Sequence, residues 1–485
     1  MPALTQGSVP RALFTMAFPM LAGTFAMVAY HFTDTWFVSR LGTLPLAAMG
    51  FTFPVVMLVT CVARGIGAGV TALASHALGR RDHDQAAAFV THGLLLTVAV
   101  TILMSIAGYF AIAPGFRLLG ATSQTLPLIH DYMSVWYFGA ITMSLPMLGN
   151  GILISAGDSK TASLFMIAGT AANVILDPIM IFGWLGCPAL GMSGAALATV
   201  ISQAISTAWL ISLLVKKHRL LAFHGWDMDS FLASARRITS FAVPSIISMI
   251  LMPAAAAVIT KILSGYGQEA VAASGAGGRI EMFAFVIPMA LGISLTPFIS
   301  QNFGAQRLDR VREAHKVSNT FAILYGAFIA AAFFLCAPWL AAAFSDDPKV
   351  TRVLIASIRI TAFGFGMMEV HRYCGFFLTG LHKPAAAMYL NATRIVALLI
   401  PLSWLGGRLG GVNGVFFGRL AADLAAGVIG LIWAHRAIAA ATPRASLAPS
   451  AARVLAVPLT TGTCSGSPPR TEPPRIPGIE PSTDA

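Results

Sequence analysis

Twelve runs of mostly apolar residues, each long enough to cross a bilayer, take up most of this 485-residue chain. A helix needs about 20 such residues to span the hydrocarbon core. The runs lie near 13–39, 44–78, 86–113, 127–155, 161–184 and 190–215, then near 238–263, 274–303, 314–344, 352–380, 385–406 and 410–436. Such a pattern reads as an all-α polytopic membrane protein with 12 transmembrane helices. Only 10% of the residues are charged, against about 25% in a soluble domain. Runs such as 44–78 exceed the minimum, which permits tilt or a cytoplasmic overhang. The first run is too long for a signal peptide and continues through Asp34 to Arg40 without a small-residue cleavage site. The cysteines stand singly, which indicates neither a disulfide framework nor a zinc site.

The distribution of charge orients the spans. The net charge is +12, from 31 Lys and Arg against 19 Asp and Glu. In so apolar a chain this excess points to basic loops beside an anionic membrane face and not to a nucleic-acid partner. Loops after even-numbered spans hold thirteen Lys and Arg, from Arg80 and Arg81 to Lys383, whereas loops after odd-numbered spans hold six. Basic loops stay on the inside, so both termini are expected in the cytoplasm, with the chain multi-pass in the cell's inner membrane. The expected divisions are an N-lobe at 1–215, a cytoplasmic linker at 216–237, a C-lobe at 238–440 and a disordered, Pro-rich cytoplasmic tail at 441–485.

The two lobes repeat. A shift of 225 residues lays Pro19 on Pro244, Gly42 on Gly267, Gly67 on Gly292 and Gly79 on Gly304. Later, a shift of 223 lays Gly157 on Gly380, Lys160 on Lys383 and Pro178 on Pro401, and a shift of 220 pairs Gly191 with Gly411. Six spans per repeat is an even number, so both halves insert the same way up. This is the parallel repeat of secondary transporters, which bind cargo between the halves and rock to alternate access.

Against that repeat, two residues stand out. A carboxylate in hydrocarbon is costly and is functional by default. In this register Asp34 aligns with Ile259 and Asp177 with Ile400, so a second half built on the same plan needs neither acid. Thr170, Asn173 and Asp177 follow at helical spacing on the fifth span, and Thr199, Ser202, Gln203 and Ser206 form a polar stripe on the sixth. Asp34, Asp177 and Thr199 fall at one depth, roughly 9–14 Å below the outer surface at 1.5 Å per residue. Two carboxylates, an amide and a hydroxyl at one level suit H⁺ or a hard cation such as Na⁺. The structural alternative has Asp177 capping a helix break before Pro178. Glu281 beside Arg279, and Asp423 four residues after Arg419, are expected to form internal ion pairs. Glu369, near Arg372 and His371, is open to either a pair or a place on the cargo path with Gln203. The glycine run Gly65-Ile66-Gly67-Ala68-Gly69 sits inside a span, where close helix packing explains it better than a nucleotide loop.

With Thr33-Asp34-Thr35-Trp36-Phe37-Val38-Ser39-Arg40-Leu41-Gly42, Asn173-Val174-Ile175-Leu176-Asp177-Pro178 and Gly191-Met192-Ser193-Gly194-Ala195-Ala196-Leu197-Ala198-Thr199, residues 10–440 resemble the multidrug and toxic compound extrusion (MATE) transporters. The resemblance implies a V-shaped exporter with two six-helix lobes and no enzymatic activity. Its expected cargo is organic cations or amphiphilic drugs, exchanged for H⁺ or Na⁺. The chain is most similar to the prokaryotic DinF-like branch. That likeness implies a cation site at Asp34, Asn173, Asp177 and Thr199, which would be a metal site only with Na⁺ as coupling ion. It also implies a bending point at Pro19. The acidic helix-seven residue of the NorM branch has no counterpart between Ile238 and Leu263. No cofactor is expected beyond the coupling ion, and the expected state is a monomer. The rival reading is a flippase of a lipid-linked oligosaccharide, for which cations inside spans (Arg64, Arg359, Arg372 and Arg394) would matter.

Overall fold

The computed structural model describes residues 4–222 and 227–441, and the expected tail lies outside the described residues after Ala441. Among these the regular structure is helical throughout. The spans are α1 (Val9–Ser39), α2 (Thr43–Gly79), α3 (His83–Phe110), α4 (Thr125–Ser155), α5 (Ser159–Phe182) and α6 (Gly191–His218). The second half holds α7 (Met228–Ser264), α8 (Gln268–Gly304), α9 (Leu308–Ala342) and α10 (Pro348–Gly380). A last helical stretch, Pro384–Ala441, divides at Gly410 and Gly411, where φ reaches +60°, into α11 (384–409) and α12 (412–441). This division restores the twelve expected spans.

Helix starts follow from local chemistry. Asp82, Asp158 and Asp227 each accept a hydrogen bond from a backbone N–H three residues on, at 3.0, 3.2 and 3.1 Å, satisfying an orphan donor of the first turn. The last of these caps begins α7 at Met228, ten residues before the apolar run, so the second part of the expected linker, 228–237, is helix. The repeat is written in the turns as well. Gly42 and Gly267 have φ of +119° and +112°, Arg81 and Gln306 of +63° and +57°, and Gly157 and His382 of +78° and +60°. Those pairs keep the 225-residue shift throughout, so Gly157 does not correspond to Gly380 as residue identity suggested. Asp177 then faces Leu402 in the repeat instead of Ile400. The asymmetry at Asp177 stands either way.

Apolar packing separates the two ends of the molecule. At the end that carries the basic loops, one core joins both halves: Met16 and Met20 of α1, Val70 and Leu73 of α2, Leu295 and Phe298 of α8, and Tyr373 and Phe377 of α10. At the other end the halves have separate cores. Val38, Ile129, Trp136 and Ile181 belong to one, while Ile280, Leu354, Phe365 and Phe416 fall in others confined to the second half. A cleft therefore opens between the lobes away from the basic end.

Backbone contact seals the basic end. A Cβ on Gly79 would lie 2.1 Å from the Gln301 carbonyl oxygen, and one on Gly304 would lie 2.2 Å from that of His76. These repeat-related glycines let α2 and α8 cross at backbone distance, as small residues do in membranes. Gln301 Nε2 donates to the Ser155 carbonyl at 2.7 Å across the lobes. The Arg310 guanidinium donates to Asn302 Oδ1 at 2.8 Å and to the Leu4 and Gln6 carbonyls at 3.0 and 3.2 Å, tying the segment before α1 to α9. The His76 and His382 rings meet at a tilt, 4.3 Å between centroids, and burial followed by this neighbour pushes the His382 imidazole down to about 4. Gly304→Val is expected to hold these ends apart. Spin labels at Arg81 and Gln306 should then report a longer distance distribution than in the parent. An unchanged distribution would refute this account of the closure.

Candidate functional site

The site lies in the first lobe, away from the sealed end. Helix α1 is laid against α5 by hydroxyl groups: Ser159 donates to the Thr15 carbonyl at 3.5 Å, Ser163 to that of Pro19, and Thr170 to that of Ala26 at 3.3 Å. The first contact has a specific cause. Proline has no N–H, so Pro19 leaves the carbonyl four residues earlier, Thr15, without its helical donor. Ser159 takes that donor's place. Helix α5 runs unbroken through Pro178, so Asp177 caps no helix break.

This strapping brings together the four residues named from the sequence. Asn173 and Asp177 are wholly buried, and Asp34 and Thr199 are 7% and 5% exposed. Asn173 Nδ2 donates to Asp177 Oδ1 at 3.2 Å and to Thr199 Oγ1 at 3.3 Å. The Thr199 hydroxyl oxygen also accepts from Tyr30 Oη at 3.3 Å. Asp34 lies within electrostatic reach of Asp177, Tyr30 and Tyr132. The decisive feature is what remains unmatched. Asp34 Oδ1, Asn173 Oδ1 and Asp177 Oδ2 are buried with no hydrogen-bond donor. A buried acceptor left unpaired is costly, and three near one another favour a proton or a hard cation bound by oxygen.

Sequence reasoning missed Tyr30 and Tyr132. Tyr30 was within reach, because it stands four residues before Asp34 and so on the same helix face. Tyr132 reaches the site from α4, which no local pattern announces. Gln203 is half-buried on α6, one turn from Thr199.

The acids of the second lobe are in a different condition. Glu281 accepts from Arg419 at 2.6 Å, across from α12, and not from Arg279 as its neighbourhood in sequence suggested. Asp423 binds Arg394 of α11 at 2.7 Å, with Arg419 more distant at 3.9 Å. Glu369 is bound by Arg372, with Nε at 3.1 Å. Glu281, Glu369 and Asp423 are thus each matched by arginine.

The comparisons with known proteins agree with this architecture. The MatE family model matches residues 19–179 and 244–405, two stretches whose starts are 225 residues apart. The FAD transporter of Shewanella oneidensis is 36% identical over 427 residues, covering 88% of this chain and 94% of that protein. The multidrug export protein MepA of Staphylococcus saprophyticus is 25% identical over 426 residues, covering 86% and 92%. Among solved structures, the Vibrio cholerae MATE transporter VcmN in its bent form superposes with a TM-score of 0.86 at 27% identity, covering 89% of this chain and 98% of that one. The chain belongs to the MatE family: it is a multi-pass membrane transporter, not an enzyme.

Proposed function

We propose that this protein is an exporter driven by inward movement of H⁺ or Na⁺ through the Asp34, Asn173, Asp177 and Thr199 cluster. The three donorless buried oxygens carry this reading. With the basic end in the cytoplasm of the inner membrane, the open cleft faces outside and the cluster receives its ion from there. Ion binding and cargo binding then weaken each other, and that reciprocity couples the two fluxes. An inner-negative potential adds about 2.3 kcal/mol per 100 mV for each inward charge. Pro19, whose missing N–H breaks the α1 ladder at Thr15, is the point at which α1 bends.

For the cargo we favour a flavin dinucleotide over an organic cation, because the 36% relative is an FAD transporter. The multidrug relatives, at 25% identity, support the alternative of amphiphilic drugs. The flippase reading finds less support, since two of the four arginines it draws on, Arg372 and Arg394, are held by carboxylates. The test is flux in proteoliposomes loaded with FAD or ethidium, under a proton gradient and a Na⁺ gradient applied separately. FAD efflux driven by one gradient is the expected result. Silence of both cargoes under both gradients would overturn the proposal.

A further inference from the structure

An unpaired cation inside a span calls for a reason, because charge in the membrane interior is costly and marks a substrate path or a partner. Arg64 of α2 is such a group. It is exposed, its Nη2 donates to the Met27 sulfur of α1 at 3.5 Å, and no carboxylate among the described residues lies within ion-pair distance of it. Its place is informative. On α2, Val59 belongs to the core of the first lobe and Ile66 to the core shared by both. On α1, Val38 and Met20 divide in the same way, with Met27 between them. The next residue, Gly65, lies against Ile246 and the Ala242 carbonyl of α7. Arg64 and Met27 therefore stand at the fork where the lobes part, on the floor of the cleft.

The charges around this floor have one sign. Glu281, Glu369 and Asp423 of the second lobe are neutralised by Arg419, Arg372 and Arg394. Asp34 and Asp177 are buried among the helices of the first lobe and not presented to the cleft. Arg279, also exposed and without a carboxylate partner among the described residues, lies further toward the open end on α8. A cationic cargo reaching the fork would find no unpaired acid there. A phosphate would find a guanidinium suited to bidentate hydrogen bonding.

We infer that Arg64 is the residue that reads the phosphate of an anionic, phosphate-bearing cargo, held at the fork with the Met27 thioether against its apolar part. This rests on the flavin-dinucleotide reading and assigns that cargo's anionic centre to one residue. The test compares FAD with riboflavin, which has the same ring system and no phosphate, by fluorescence binding to the purified full-length transporter. The wild type should bind FAD more tightly than riboflavin by about tenfold to a hundredfold, the worth of a charged hydrogen bond. Arg64→Gln should remove most of that preference while leaving riboflavin affinity in place, and Arg64→Lys should keep part of it. Preference retained in Arg64→Gln would overturn the assignment to Arg64 and leave FAD export standing. Equal wild-type affinity for both flavins would overturn phosphate recognition itself, whereas the gradient-driven flux assay judges export separately. Loss of both flavins in Arg64→Gln would make the residue structural and likewise defeat the inference.

Discussion

Asp34→Asn is expected to leave the transporter folded and to abolish its response to an ion gradient. Asp34 is 7% exposed, and one of its oxygens is buried without a donor. Asparagine keeps the shape, so neighbouring helices need not move. It removes the negative charge and replaces one acceptor by an N–H₂ group, which neither takes up a proton at neutral pH nor ligates Na⁺. Coupling free energies of about 1–3 kcal/mol correspond to factors of about 5–150, so gradient-stimulated efflux should fall by that order. Cargo exchange without a gradient, which does not draw on the ion, should survive. Asp177→Asn should act in the same direction, and it also weakens the hydrogen bond from Asn173. Full gradient-driven flux from the Asp34→Asn transporter would sink the assignment of this cluster.

How far this site could be read without coordinates depended on which signals are local. The spans were legible because bilayer thickness imposes a length on any crossing helix. The break near 406–410 was legible too, and the structure places it at Gly410 and Gly411, where a positive φ interrupts the helix. The Asp34 and Asp177 pair emerged because the second half supplies an internal control that lacks them. Partner choice was not legible. Glu281 lies two residues from Arg279, yet it pairs with Arg419, 138 positions away, because residues two apart on a helix point to different sides. The register of the repeat also misled where identity was followed too closely. Gly157 and Gly380 match as letters, but the left-handed turn that begins the next helix falls at His382. Arg64 shows the same limit. Its sequence neighbours are glycines and small residues, and only the packing of α1, α2 and α7 around it sets it apart from the paired arginines.

The arginine–carboxylate network of the second lobe yields the largest expected effect on stability. Arg394 and Asp423 are both almost fully buried, at 6% and 3% exposure, and are joined by Nε and Nη2 bonds of 3.0 and 2.7 Å to a single carboxylate oxygen. Arg419 lies 3.9 Å from the other oxygen and 2.6 Å from Glu281. Two cations and two anions thus balance within the span region. Removing one member of a buried pair leaves an uncompensated charge and typically costs about 3–5 kcal/mol. Asp423→Ala should therefore destabilise the transporter by about that amount in detergent, read as a lowered midpoint of thermal or denaturant unfolding. Removing both charges is a different perturbation. Replacement of a buried pair by apolar residues of similar size is often neutral or stabilising, so Arg394→Met with Asp423→Leu should recover most of the loss. If the double variant is as unstable as Asp423→Ala, the pair is not self-contained and Arg419 must be its principal counter-charge. The quadruple change that adds Arg419→Met and Glu281→Gln to the double variant would then restore the midpoint, because it leaves no charge from this network buried among α8, α11 and α12.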